Sequence, residues 1–219
     1  METTALNQFS VSILPDGING ILGLPPSPAG VVIFAHGSGS GRLSPRNNHV
    51  ALGLRKAGFA TLLLDLLTPS EEKDRAKVFD IDLLARRLLH ATEWAATTSE
   101  LATLPIGYFG ASTGAGAALR AAATAPDRVR AVVSRGGRPD LAGEMMLSRV
   151  RAPTLLIVGG LDRLVITLNR EAMRHLRCVC DLAIVPNAGH LFEEARTLDA
   201  VIGHAERWFR TYLPERTTT

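Results

Sequence analysis

The sequence predicts an α/β fold, a mostly parallel sheet with helices packed on both faces. Three observations carry that expectation. Short continuous apolar runs recur along the chain, as strands buried on both faces require. Between them lie longer stretches whose apolar residues repeat at helical spacing. Repeated strand–helix units then demand right-handed crossovers between parallel neighbours.

Taken in order, residues 9–13 and 18–24 flank Pro15-Asp16-Gly17 and read as a hairpin, which Pro25-Pro26-Ser27-Pro28 ends. Residues 30–35 are a continuous apolar strand. Residues 46–58 show helical spacing through Val50, Leu54 and Ala57, and 59–65 make the next buried strand. Residues 79–96 read as an amphipathic helix with Ile81, Leu84, Leu88 and Ala91 on one stripe. A strand over 104–109 runs into a helix at Ala115-Gly116-Ala117-Ala118-Leu119. Strands at 129–134 and 154–159 enclose only a short helix, 140–149, which leaves no sizeable cap. A helix near 168–177, a strand over 182–185 and a final helix from about 192 to 212 complete the order. Residues 1–219 are expected to form one domain, with the tail from about 214 frayed.

At 46% hydrophobic and 21% charged residues, the chain is globular rather than disordered. The net charge of +3 comes from arginines spread among acids, with lysine only at Lys56, Lys73 and Lys77. No basic tract with interleaved aromatics occurs, so nucleic acid is not an expected partner. No apolar run reaches transmembrane length, and the N-terminal residues lack a signal peptide's basic and apolar regions. A reducing cytoplasm, away from membranes, is the expected setting. Cys178 and Cys180 are too close for an unstrained disulfide and too few for a zinc site. They are expected to be reduced thiols on opposite faces of a strand edge or helix end.

The chemistry gathers around Gly110-Ala111-Ser112-Thr113-Gly114, which joins a strand pattern to a helix pattern. A serine pinned there between two glycines has the form of a nucleophile elbow, with its hydroxyl exposed above the sheet. Side chains at the glycine positions would collide with neighbouring strands. Acyl transfer also needs a base, an acid to orient it and donors for the oxyanion. In a parallel sheet these belong at the C-terminal ends of strands. Asp162 follows the run ending at Gly159, and His190 follows 182–185 through Pro186-Asn187-Ala188-Gly189, so the chain order is Ser112, Asp162, His190. Each has a plainer account: Ser112 as a helix N-cap, Asp162 as a turn initiator, His190 as a structural loop histidine. Asp140 is the substitute acid. His49, His90, His175 and His204 fall in helical patterns and read as solvated or packing groups.

The oxyanion donors are expected to be Thr113 N–H and Ser38 N–H, the latter from the loop His36-Gly37-Ser38-Gly39-Ser40-Gly41-Arg42. Glycines there free the backbone to aim its amides, and Gly37 and Gly39 are expected to border the substrate. His36 is expected to shape the loop rather than act as base. The loop lacks the Gly-Lys-Ser/Thr ending of a phosphate cradle and the Gly-x-Gly-x-x-Gly of a dinucleotide site. Arg135 and Arg138 follow a strand end, where a guanidinium suits a substrate carboxylate; the alternative is a surface ion pair with Asp140.

These residues together resemble the α/β-hydrolase family, and the branch most similar is the dienelactone-hydrolase-like carboxylesterases. The likeness lies in residues 33–42 with Ser44-Pro45-Arg46-Asn47, in Asp65-Leu66-Leu67-Thr68, and in Arg135-Gly136-Gly137-Arg138-Pro139-Asp140-Leu141. It covers essentially the whole chain. Similar modules also occur joined to a phosphoribosyltransferase domain, which this sequence does not show. True dienelactone hydrolases carry a cysteine nucleophile where this sequence has Ser112, so general ester hydrolysis is expected ahead of lactone opening. The expectation is thus a serine carboxylesterase for small or short-acyl esters, without metal or cofactor, as monomer or homodimer. A thioesterase or acyltransferase, and a non-catalytic binding module, are the other classes left open.

Overall fold

The computed structural model describes residues 7–214. Eight strands, β1 Asn7–Ile13, β2 Ile18–Leu24, β3 Val31–Ala35, β4 Ala60–Leu64, β5 Ile106–Ala111, β6 Val129–Arg135, β7 Thr154–Gly159 and β8 Cys180–Val185, form one sheet. Its order is β1-β2-β4-β3-β5-β6-β7-β8. The β1–β2 and β2–β4 pairs are antiparallel, and every other pair is parallel. β3, β4, β5 and β7 are buried along their whole length, which is why they read as unbroken apolar runs rather than alternating ones.

The helices are α1 Pro45–Lys56, α2 Arg75–Val78, α3 Ile81–Thr97, α4 Thr113–Thr124, α5 Glu144–Leu147, α6 Arg163–His175 and α7 Thr197–Tyr212. One core cluster joins Ile33, Leu62 and Tyr108 to Leu84 and Leu88 of α3, Ala118 and Leu119 of α4 and Ala172 of α6. The other joins Val32, Phe34 and Phe109 to Val50 and Leu54 of α1 and Val201, Ala205 and Phe209 of α7. Successive strand residues point to opposite faces, so the central strands β3, β4, β5 and β6 each feed both clusters. Each fully buried leucine or phenylalanine contributes roughly 1.5–3 kcal/mol relative to exposure. Arg87 of α3 ties the β1–β2 turn to the segment after β4 by pairing with Asp16 and, at 3.0 Å, with Glu71.

Several boundaries depart from the sequence reading. The helix expected over 140–149 is split at Gly143, φ 82°, into a 3-10 turn, Pro139–Ala142, and the one-turn α5. The helix expected from 168 starts at Arg163, because Asp162 caps it. The last helix starts at Thr197 rather than near 192, because Phe192 (φ 56°) and Arg196 (φ 63°) take left-handed conformations that end helical propagation. Cys178 and Cys180 are free thiols that both pack against the first core cluster, not on opposite faces. Residues two apart in extended chain share a face. Beyond Pro214, the tail expected to fray lies outside the described residues. Among the described residues no helix is long and apolar enough to cross a membrane.

Candidate active site

Ser112 stands at the turn from β5 into α4 with φ 50° and ψ −122°, a conformation that costs of order 1–3 kcal/mol. Neighbouring backbone holds it there. Ser112 N–H donates to Arg135 O at 3.3 Å, and Arg138 N–H donates to Ser112 O at 3.0 Å. Both flanking glycines are required sterically. A Cβ on Gly110 would lie 2.5 Å from Ala115 Cα, and one on Gly114 would lie 2.2 Å from Ala35 O. The collisions therefore involve the first turn of α4 and the end of β3, more specific than the neighbouring strands anticipated. Ser112 makes no side-chain capping bond, so its hydroxyl is not occupied as an N-cap.

His190 sits in the loop after β8. Its Nδ1–H donates to Asp162 Oδ2 at 2.6 Å, while Asp162 Oδ1 accepts Val165 N–H at 3.3 Å. One carboxylate thus caps α6 and orients the ring, so the two readings of Asp162 describe the same residue. The ring lies against Gly136: a Cβ there would be 3.8 Å from His190 Cε1 and 3.0 Å from His190 O. Ser112 is anchored on that same 135–138 segment, which brings Ser112, Asp162 and His190 to one end of the sheet. Among the described residues no hydrogen bond joins Ser112 Oγ to the imidazole. Catalytic hydrogen bonds commonly tighten only when substrate is bound.

The loop carrying His190 is fastened at three points the sequence reading missed. Phe192 is buried in the second core cluster, Gly189 N–H donates to Glu194 Oε1 at 3.0 Å, and Arg46 pairs with Glu193 at 2.8 Å. Arg135 lies beneath it. Its guanidinium donates to Asn47 Oδ1 at 3.1 Å and stands 5.8 Å from the Phe192 ring centroid, while its Nε has no partner. Burial, with Arg46 nearby, pushes its pKa down to about 10. Arg138 is held by Asp140 at 2.9 and 2.7 Å, so the substitute acid is paired with that arginine.

His36 is almost fully buried and spans the base of the loop after β3. Leu66 N–H donates to Nε2 at 2.8 Å, which makes Nδ1 the protonated nitrogen and Gly37 O its acceptor at 2.9 Å. Burial lowers its pKa below the ordinary 6.5, because a buried imidazolium is poorly solvated. Unfolded chain therefore takes up a proton more readily than folded chain. Stability from this group is expected to be complete above about pH 6.5 and to fall as pH drops below it. Urea unfolding of wild type and His36→Gln at pH 7.5 and 5.5 measures this as a smaller acid-dependent loss in the variant.

Thr113 N–H, at the first turn of α4, has no hydrogen-bond partner among the described residues and faces no competition for an anion. Ser38 N–H differs from expectation: it donates to Thr113 Oγ1 at 3.0 Å. Gly37 passes close over the elbow, where an added Cβ would be 2.9 Å from Ser112 Cβ. A cleft of about 600 Å³ opens beside this loop, bordered by Gly37, Ser38, Gly39 and Thr113 and walled by Leu67 and Leu84. Asp65 holds the loop's far side by accepting Arg42 N–H at 2.8 Å and pairing with its guanidinium. Among the described residues no group of three or more His, Cys, Asp and Glu is placed to hold a metal ion.

The sheet order and the strained serine at its central strand–helix turn, with an acid-bound histidine after the last strand, define the α/β-hydrolase class. Within that class the chain belongs to the dienelactone hydrolase family, whose profile matches residues 18–212. A crystal structure of dienelactone hydrolase from Anabaena variabilis is 52% identical, covers 95% of this chain and 98% of its own, and superposes with a TM-score of 0.89. A Mycobacterium tuberculosis protein provisionally named a phosphoribosyl transferase is 59% identical over 199 residues, 91% of this chain. The chain spans only 45% of that relative's length. Est1E from Butyrivibrio proteoclasticus shares the fold at 16% identity, with a TM-score of 0.77 over 92% of this chain and 98% of its own.

Proposed function

We propose that this member of the hydrolase family is a serine carboxylesterase acting on small or short-acyl esters. The observation that carries the reading is the 2.6 Å bond from His190 to Asp162 beside the strained Ser112. In this reading His190 Nε2 takes the Ser112 proton as Oγ attacks the ester carbonyl, and Asp162 fixes the tautomer and stabilises the resulting imidazolium. The tetrahedral oxyanion develops at the N-terminus of α4, where Thr113 N–H is free. His190 then protonates the leaving alcohol, and water repeats the sequence on the acyl-enzyme.

Substrate size follows from what covers the site. Between β6 and β7 stand only a 3-10 turn and the one-turn α5, too little chain for a lid over a long acyl group. The 600 Å³ cleft reaches the elbow only at Gly37, Ser38 and Thr113 and is not lined by Ser112, Asp162 or His190. In this reading it would take one compact moiety of the ester next to the reacting carbonyl. Arg135, which has no carboxylate partner among the described residues, would supply positive potential from beneath the His190 loop, whereas Arg138 is already neutralised by Asp140. The 52% identity to a dienelactone hydrolase favours lactones as a second substrate class for the same serine. The transferase in the M. tuberculosis name is not carried over, since the shared part is under half of that protein.

A fluorophosphonate probe is expected to label Ser112, and labelling is expected to vanish in Ser112→Ala. Turnover of p-nitrophenyl esters is expected to fall from acetate to decanoate, with lactones and thioesters run alongside. An unlabelled wild-type protein would end the esterase reading and leave a binding module.

A further inference from the structure

An oxyanion is stabilised by donors already aimed at where charge develops, and two are the usual minimum. At this site one is plain: Thr113 N–H is unpaired at the start of α4. The second is not the amide that its place in the loop suggests. Ser38 N–H has one proton, and it is given to Thr113 Oγ1 at 3.0 Å. Building on the serine-hydrolase reading above, we propose that the second donor is the Thr113 hydroxyl itself, with Ser38 acting through it.

The hydroxyl is suited to this on three counts. It accepts from Ser38 and so retains its own proton, and among the described residues no acceptor takes that proton. Thr113 is only 4% exposed, directly follows Ser112 in the chain and borders the cleft together with Gly37 and Ser38, so the proton's natural destination is the space in front of the elbow. An N–H donated into the hydroxyl oxygen polarises the O–H and makes it a stronger donor, by about 10–30%. As Ser112 Oγ bonds to the carbonyl carbon, the C=O π pair moves onto oxygen. That oxygen then receives Thr113 N–H and Thr113 Oγ–H, two donors fixed in one residue. No proton changes owner in that contact, and both bonds release when the carbonyl re-forms.

The competing arrangement has Ser38 N–H swing from Thr113 Oγ1 onto the oxyanion, with the hydroxyl only a placeholder. The two differ in sign. Removing the hydroxyl should disable the first and leave Ser38 free to serve in the second. Thr113→Val, Thr113→Ala and Thr113→Ser are compared with wild type for p-nitrophenyl acetate turnover, fluorophosphonate labelling rate and inhibition by a trifluoromethyl ketone, which forms a tetrahedral oxyanion adduct. The valine and alanine variants are expected to lose about 10²–10³ in kcat with little change in KM. Labelling rate and ketone affinity should fall by a similar factor, and serine should restore most of both. Thermal unfolding identifies a variant that does not fold, in which case the alanine and serine pair decides.

Wild-type or higher kcat in either hydroxyl-free variant overturns the proposal and returns the role to Ser38. Full activity in Ser112→Ala is a different failure, since it removes the nucleophile reading on which this one rests.

Discussion

Ser112→Ala is expected to lower ester turnover by a factor on the order of 10⁴–10⁶ while leaving the fold and its melting temperature essentially unchanged. Both halves follow from the geometry. The hydroxyl has no hydrogen bond among the described residues, so its removal orphans nothing, and alanine keeps the Cβ that packs under Gly37. The backbone strain at φ 50° is also kept, because alanine suffers it as serine does. On the serine-esterase proposal, what disappears is the atom that carries the acyl group. Residual activity would come from the oxyanion donors and binding alone. Circular dichroism melts alongside initial rates and probe labelling check the prediction; a parallel loss of structure and activity would show that the serine holds the turn together.

Gly114→Ala is expected to have the largest effect on stability of any single methyl added at the site. Its Cβ would sit 2.2 Å from Ala35 O, 2.4 Å from His36 O and 2.6 Å from Ala35 C. All three are backbone atoms, so no rotamer change relieves the contact. The end of β3 must separate from the start of α4. Overpacking of this kind costs about 3 kcal/mol, which for a chain of this size lowers the melting temperature by roughly 6–12 °C. The same separation carries Ser38 away from Thr113, whose 3.0 Å bond crosses that seam, so kcat should fall even in protein that remains folded. A melting temperature within a degree of wild type would show that the seam yields freely.

Much of this architecture is legible in the residues. β3, β4, β5 and β7 announce themselves because strands buried on both faces have nowhere to put a polar side chain. Ser112 and Asp162 are readable as candidates because each follows such a run, and His190 because it follows the half-exposed β8; a parallel sheet places all those ends on one edge. Boundaries set by backbone conformation were less visible. Phe192 and Arg196 lie in a stretch of helical composition, and only their left-handed φ values show that it is the loop holding His190. Cys178 and Cys180 share one face rather than the opposite faces expected, since a spacing of two in extended chain puts both on one side.

The sequence by itself determined the sheet, the elbow and the order of the three site residues, since strand burial and turn sterics are written in local residue types. Tertiary structure alone decided which loops touch. That Asp162 both caps α6 and holds His190, that Arg135 lies under Phe192 with no carboxylate partner among the described residues, and that Ser38 spends its amide on Thr113 all depend on pairings across the register of β3, β5, β6 and β7. Local spacing fixes which way a side chain leaves its own strand, but the distance to a partner dozens of residues away is set by how the strands align, and that alignment is a property of the packed sheet.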